Sequence, residues 1–182
     1  PVMASAQPLP EGVAQAWARR LGARTGALRV GFVCTGNPHH HQDLQRSMSM
    51  GAFLAAMPRE GVAWFCLQRI IRSADVRTLA QRQDDVSAFP LDLHDFAETA
   101  GLIGQMDLVI SVDTSVAHLA ATLGRPTWIL LPHVPDPRWL LGRADTPWYP
   151  RMRLFRQGPG GQWAPVLAEV ARELEAWIQE AP

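Results

Sequence analysis

The run Asp113-Thr114-Ser115, followed by His118, carries residue types that can hold a phosphate: short polar side chains at a turn, then an imidazole about one helical turn further on. It lies between an apolar run, Leu108 to Val112, and a segment in which Val116, Leu119, Ala120 and Leu123 recur at helical spacing until Gly124 and Pro126. Strand, tight turn and helix in that order leave unpaired backbone N–H groups and a partial positive charge just outside the carboxyl end of a buried strand, where phosphate binds well. Asp, Thr and Ser are also good helix N-caps, so capping and anion binding are both open to this turn. A lone histidine in a helix is more often structural than a ligand donor.

A second polar constellation, Thr35 to Arg46, follows the apolar run Leu28 to Cys34. If both runs are strands of one parallel sheet, this loop falls at the same carboxyl edge as the Asp113 turn. Gly36 and Asn37 can present backbone N–H groups there, and His40, Asp43 and Arg46 add polar reach. Consecutive histidines such as His39, His40 and His41 rarely converge on one ion without carboxylate or cysteine partners at helical or hairpin spacing, so no metal site is expected. Lys and Arg together number 17 and every one is arginine, so any cation that meets a phosphate is a guanidinium. The chain holds no GxGxxG, no P-loop signature and no GxSxG elbow, which disfavours dinucleotide-binding, P-loop and serine-hydrolase readings.

The elements that must position these residues read as alternating strands and helices. A linker-like opening, Pro1 to Pro10, precedes an amphipathic helix with Val13, Trp17 and Leu21 on one face, closed near Gly22. Strands are expected at Leu28 to Cys34, Val62 to Leu67, Leu108 to Val112, Trp128 to Leu131 and Arg153 to Arg156. Helices are expected from Ser47 to Met57, from the capping-box pair Asp95 and Glu98 with Phe96, Thr99, Ile103 and Met106 on one face, and from Pro165 with Val166, Val170, Leu174 and Trp177 inward. Gln68 to Pro90 is polar, without clear period, and reads as a variable loop or weak helix. The pattern predicts an α/β fold, a Rossmann-like doubly wound parallel sheet, with residues 1–26 as linker and amphipathic helix and 27–182 as the Rossmann-like domain.

Composition narrows the partners. The chain is 47% hydrophobic and 19% charged, with 17 acidic and 17 basic residues, so no electrostatic bias draws it to nucleic acid. No apolar run approaches the roughly 18 residues of a membrane span. Cys34 and Cys66 fall in expected strands without CxxC spacing, which fits free thiols in a reducing cytoplasm. The chain opens on proline, and is read as a piece of a longer polypeptide.

Taken together, Gly36-Asn-Pro-His-His-His-Gln-Asp-Leu-Gln-Arg-Ser47, Leu67-Gln68, Asp95-Phe-Ala-Glu-Thr-Ala100, Asp113-Thr-Ser-Val-Ala-His118, and Trp139 with Asp145-Thr-Pro-Trp-Tyr-Pro150 resemble the C-terminal half of bacterial tetratricopeptide-repeat glycosyltransferase-like proteins. These are relatives of the heptosyltransferases and, more distantly, of the protein O-GlcNAc transferases. The resemblance runs from about Leu28 to the end. It implies the C-terminal half of a GT-B glycosyltransferase, two Rossmann-like domains facing across a cleft, with this half binding a UDP-, GDP- or ADP-sugar for inverting transfer that needs neither metal nor another cofactor. Asp113, Thr114, Ser115 and His118 then match the segment that meets the donor phosphates, and Gly36 and Asn37 the first-strand loop lining the cleft. His40, Asp43, Arg46 and Gln68 also fall in the matching motifs. Heptosyltransferases use a lysine after the first strand; this chain has none, so either Arg46 is the cation in its place or the donor differs. The general base is expected on the N-terminal domain of the same polypeptide. The alternative is a non-catalytic nucleotide or nucleotide-sugar binding or interaction module on a repeat scaffold.

Overall fold

Strands covered on both faces must be apolar throughout rather than alternating, and the apolar runs of this chain build one such sheet. The computed structural model describes residues 11–180; the linker-like opening expected over Pro1 to Pro10 lies outside them. The sheet comprises β1 (Leu28–Val33), β2 (Val62–Cys66), β3 (Val86–Ala88), β4 (Leu108–Val112), β5 (Thr127–Leu131) and β6 (Met152–Arg156). Their order is β3-β2-β1-β4-β5-β6 and every pairing is parallel. All five residues of β4 and of β5 are buried. This is the Rossmann-like doubly wound order: successive crossovers run one way from β1 and the other way from β4, so a crevice opens at the carboxyl ends of these two neighbours.

Around the sheet lie α1 (Glu11–Leu21), α2 (Asp43–Arg46), α3 (Met50–Ala56), α4 (Ser73–Gln81), α5 (Phe96–Ile103), α6 (Ser115–Thr122) and α7 (Ala164–Glu180). Helix α3 touches α4 and α7, while α5 touches α1 and α6, giving two groups that cover the sheet. The centre of the core is aromatic, with Phe32 stacked on Phe53 at 5.3 Å and edge-on to Trp64 at 6.0 Å. Helix α1 joins the packing through Trp17, which is buried and donates its indole N–H to Glu98 at 2.8 Å. The approach of α1 to α5 needs a glycine, since a Cβ on Gly101 would stand 2.5 Å from Cδ1 of Trp17.

The structure departs from the pattern-based expectation in several places, among them the expected loop Thr35 to Arg46, which holds α2, and Met106, which lies beyond the end of α5. The segment Gln68 to Pro90 holds both α4 and β3. The helical period is hidden because α4 inverts it, burying Asp75 and exposing Val76, and β3 has three residues. The carboxylate of Asp75 is inside because it accepts from the backbone N–H of Met50 at 2.9 Å, at the first turn of α3. Phe96, expected on the inner face of α5, is 64% exposed. The helix expected from Ser47 starts at Met50, with the Ser49 hydroxyl accepting from Ala52 N–H.

Candidate functional site at the carboxyl edge of β1 and β4

The β1 loop is held by its own polar groups. Gly36 N–H donates to Oγ of Ser47 at 3.0 Å, and that hydroxyl donates to Asp43 at 2.9 Å. Asp43 is buried, hydrogen-bonded also by Arg72, and 3.7 Å from Nε of Arg46. Burial works to raise the Asp43 pKa, and the donors Ser47 and Arg72 outweigh it and hold it below the usual carboxylate range. Arg46 in turn donates through Nη1 to the backbone carbonyl of Asp113 at 2.9 Å, which ties the β1 loop to the turn after β4. Its Nε is buried without a hydrogen-bond partner. Gly36 makes room for this guanidinium: a Cβ there would stand 2.5 Å from Arg46 Nη2. The Gly36 N–H, expected to be presented toward the cleft, is engaged by Ser47 in this structure.

The turn after β4 is built differently from the starts of α3 and α5, and like those of α2 and α4 it has no side-chain cap. Asp95 caps α5 by accepting from Glu98 N–H at 2.8 Å, and Ser49 caps α3. At α6 the N-cap residue Thr114 makes no side-chain cap; its hydroxyl shares a hydrogen bond with Ser111 at 3.0 Å. The Asp113 carboxylate accepts from the Trp139 indole N–H at 2.8 Å and lies 3.7 Å from Nε2 of His118. Burial acts to raise the Asp113 pKa; the His118 and Trp139 donors prevail and hold it below the ordinary carboxylate value. His118 stacks on Trp139 at 5.3 Å, and its Nδ1 is 3.0 Å from the Tyr149 hydroxyl. Both ring nitrogens thus face protein groups, so His118 buttresses Asp113.

Two cavities meet at this turn, sharing Arg46, Thr114 and Ser115 as walls. The larger, about 470 Å³, runs along the ends of β1 and β2 and is lined by Val33, Asn37, Leu67, Ile70, Leu93 and Phe96. The smaller, about 280 Å³, is polar, with His40, Gln42, Asp113, His118, Asp136 and Arg138 on its walls. Of the expected residues, Gly36, Asn37 and Gln68 face the larger cavity, His40, Asp113 and His118 the smaller, while Asp43 stands behind Arg46. Gln68 works as a clasp, accepting from Cys34 N–H and donating to Thr35 Oγ1, both at 2.8 Å. Among the described residues no group of His, Cys, Asp and Glu is arranged to hold a metal ion. Asp136 and Arg138 escaped the sequence reading. Asp136 accepts from both the N–H and guanidinium of Arg138, which hold its pKa down at about 2. The Asp-Pro dipeptide at 136, a turn initiator, was the available signal.

Residues 56–131 match the family model of glycosyltransferase family 9 (heptosyltransferase). That span reaches from the end of α3 through β5, so it includes Asp113 to His118 and leaves out the β1 loop. No curated protein matches the chain. Among solved structures, the E. coli ADP-heptose LPS heptosyltransferase II superposes with a TM-score of 0.63 at 17% identity, over 95% of this chain and 53% of that one. The family 9 glycosyl transferase of Veillonella parvula DSM 2008 gives 0.61 at 13% identity, over 98% and 55%. At these identities the likeness is one of fold, that of GT-B glycosyltransferase structures. The chain spans about half the length of each. No helix among the described residues is long and apolar enough to cross a membrane.

Proposed function

We propose that this chain is the donor-binding half of an inverting glycosyltransferase, holding the diphosphate of a nucleotide sugar at the start of α6. The carrying observation is that this helix start, without the side-chain cap of α3 and α5 and uncapped as α2 and α4 also are, opens where two cavities join. The first-turn amides and the Arg46 guanidinium then stand where negative charge develops on the departing nucleoside diphosphate, the role that a metal ion plays elsewhere. The apolar larger cavity suits the nucleoside and the polar smaller one the sugar hydroxyls. The family 9 match over the same turn supports the reading. The ADP-heptose named for the E. coli neighbour makes ADP the first nucleotide to test, ahead of GDP and UDP.

The carboxylates lining the two cavities are already committed, Asp95 to Glu98 N–H, Asp113 to Trp139 and Asp136 to Arg138. Asp113 and Asp136 are held below the usual carboxylate range, which makes them weak bases, and the general base for the acceptor is placed in this reading on a further domain of the same polypeptide. The two free cysteines are buried, in accord with a reducing cytoplasmic setting. Whether the whole protein also carries tetratricopeptide repeats is part of the same proposal, to be read from its full reading frame.

The test is calorimetry on the 182-residue chain with ADP, GDP and UDP against their nucleosides. The diphosphates bind and the nucleosides bind far more weakly, with no sugar transfer by this chain alone. Ser115→Pro removes one donor at the first helical position, where proline is tolerated, and the extended Thr114 preceding it (φ −140°, ψ 166°) is compatible. It costs about 1.5 to 3 kcal/mol of diphosphate binding, the range for a hydrogen bond to a charged group, while Ser115→Ala costs much less. Equal affinity of Ser115→Pro and wild type would remove the helix start from the site.

A further inference from the structure

An aspartate side chain can turn its carboxylate onto the backbone N–H two residues on, an Asx-turn. This chain makes that turn elsewhere: Asn37 Oδ1 accepts from His39 N–H and Asp136 Oδ1 from Arg138 N–H, both at 3.0 Å. Asp113 does not, although its own partner would be the Ser115 N–H in the first turn of α6. Its Oδ2 is held instead by the indole N–H of Trp139 at 2.8 Å, while His118 stands 3.7 Å from Oδ1.

Trp139 is fixed for this contact. It is fully buried, its carbonyl accepts from Arg156 Nη2 at 2.7 Å, and Arg156 Nε donates to the carbonyl of Arg143 further along the same loop. The next residue, Leu140, has φ 55° and ψ −175°, the one positive φ at a non-glycine among the described residues. Such a conformation persists in a leucine only where the surroundings over-determine it. The loop 132–151 is thus clamped in a strained shape that delivers one indole N–H to one carboxylate.

We infer that Trp139 is a positioning residue for ligand binding: it holds the Asp113 carboxylate off the first-turn amides of α6, which would otherwise be capped by the chain's own negative charge and closed to an anionic ligand. This rests on the proposed reading of the α6 start as the diphosphate site. With the indole N–H removed, Asp113 turns onto Ser115 N–H, as Asn37 and Asp136 turn onto theirs, and competes with the ligand from within.

The experiment is a double-mutant cycle with ADP as probe, using Trp139→Phe, Asp113→Ala and the pair, together with a crystal structure of ligand-free Trp139→Phe. Trp139→Phe weakens ADP binding about tenfold in the native background and leaves it within about twofold on Asp113→Ala, where no carboxylate remains to be restrained. The structure shows the Asp113 carboxylate on Ser115 N–H. Equal losses in both backgrounds would make Trp139 a packing residue, and a carboxylate still in its native place would overturn the inference whatever the affinities. Should the smaller ring destabilise the fold, benzothienylalanine at 139 keeps the bicycle and lacks only the donor. If the native chain binds no diphosphate, the proposed function fails, while the carboxylate position still decides the role of Trp139.

Discussion

Helices α5 and α6 both start at the carboxyl edge of the sheet, and both are preceded by an aspartate and the chemistry of a cap. At α5 the aspartate does what its type dictates: Asp95 accepts from Glu98 N–H at 2.8 Å and the helix is sealed by its own sequence. At α6 the hydroxyl of Thr114 is spent on Ser111 and the carboxylate of Asp113 on Trp139, so the first turn is left open beside two cavities. The difference is one of assignment, since the sealed start of α5 and the open start of α6 draw on the same residue types. What separates them is whether the surrounding structure diverts the capping groups.

The largest effect expected from breaking this contrast is at Arg46, which joins the β1 loop to the open turn through the Asp113 carbonyl. Arg46→Ala lowers nucleoside diphosphate affinity by about 1.5 to 3 kcal/mol and leaves the nucleoside almost unaffected; equal losses for both in calorimetry would place Arg46 away from the phosphates. Gly36→Ala displaces the same guanidinium from its seat and follows in the same direction, with the fold retained because the clashing atoms belong to a side-chain end.

The self-capped helix sharpens the contrast from the other side. Asp95→Ala costs about 1 kcal/mol of stability in denaturant unfolding, the usual worth of an N-cap. Thr114→Ala costs less stability than that, because its hydroxyl caps nothing. A Thr114→Ala loss equal to that of Asp95→Ala would mean that α6 is capped after all.

A smaller effect is set by pH. Asp113 is held below its ordinary pKa of about 3.9, so its contribution to stability is present above about pH 4 and is lost as the pH falls below that value through the native pKa. Melting temperature therefore drops as the pH falls below about 4, and Asp113→Asn flattens the drop. An unchanged slope in the variant would show that the Trp139 and His118 contacts do not favour the charged form.

Much of this was readable beforehand. The unit from β4 through α6 to β5 follows directly from an apolar run, a polar turn, a helical period and a Gly-Arg-Pro stop, because buried parallel strands and helix ends are local matters of composition. Helix α4 was not readable, since it buries Asp75 and exposes Val76. The polar residues of the site were recognised by type and place, but their commitments were hidden. Gly36 N–H is taken by a hydroxyl 11 residues away and the Asp113 carboxylate by an indole 26 residues away. Such pairings are made by the fold and leave no trace in local spacing.

The most direct measurement follows backbone amide resonances of the chain while ADP is added. Saturable shifts at Ser115 and Val116, with the amide of Ala52 at the sealed start of α3, outside both cavities, unmoved, are the expected outcome. Saturable ADP binding that leaves Ser115 and Val116 in place, or no saturable binding of ADP, GDP or UDP at all, would show that the open turn of α6 is not a phosphate site.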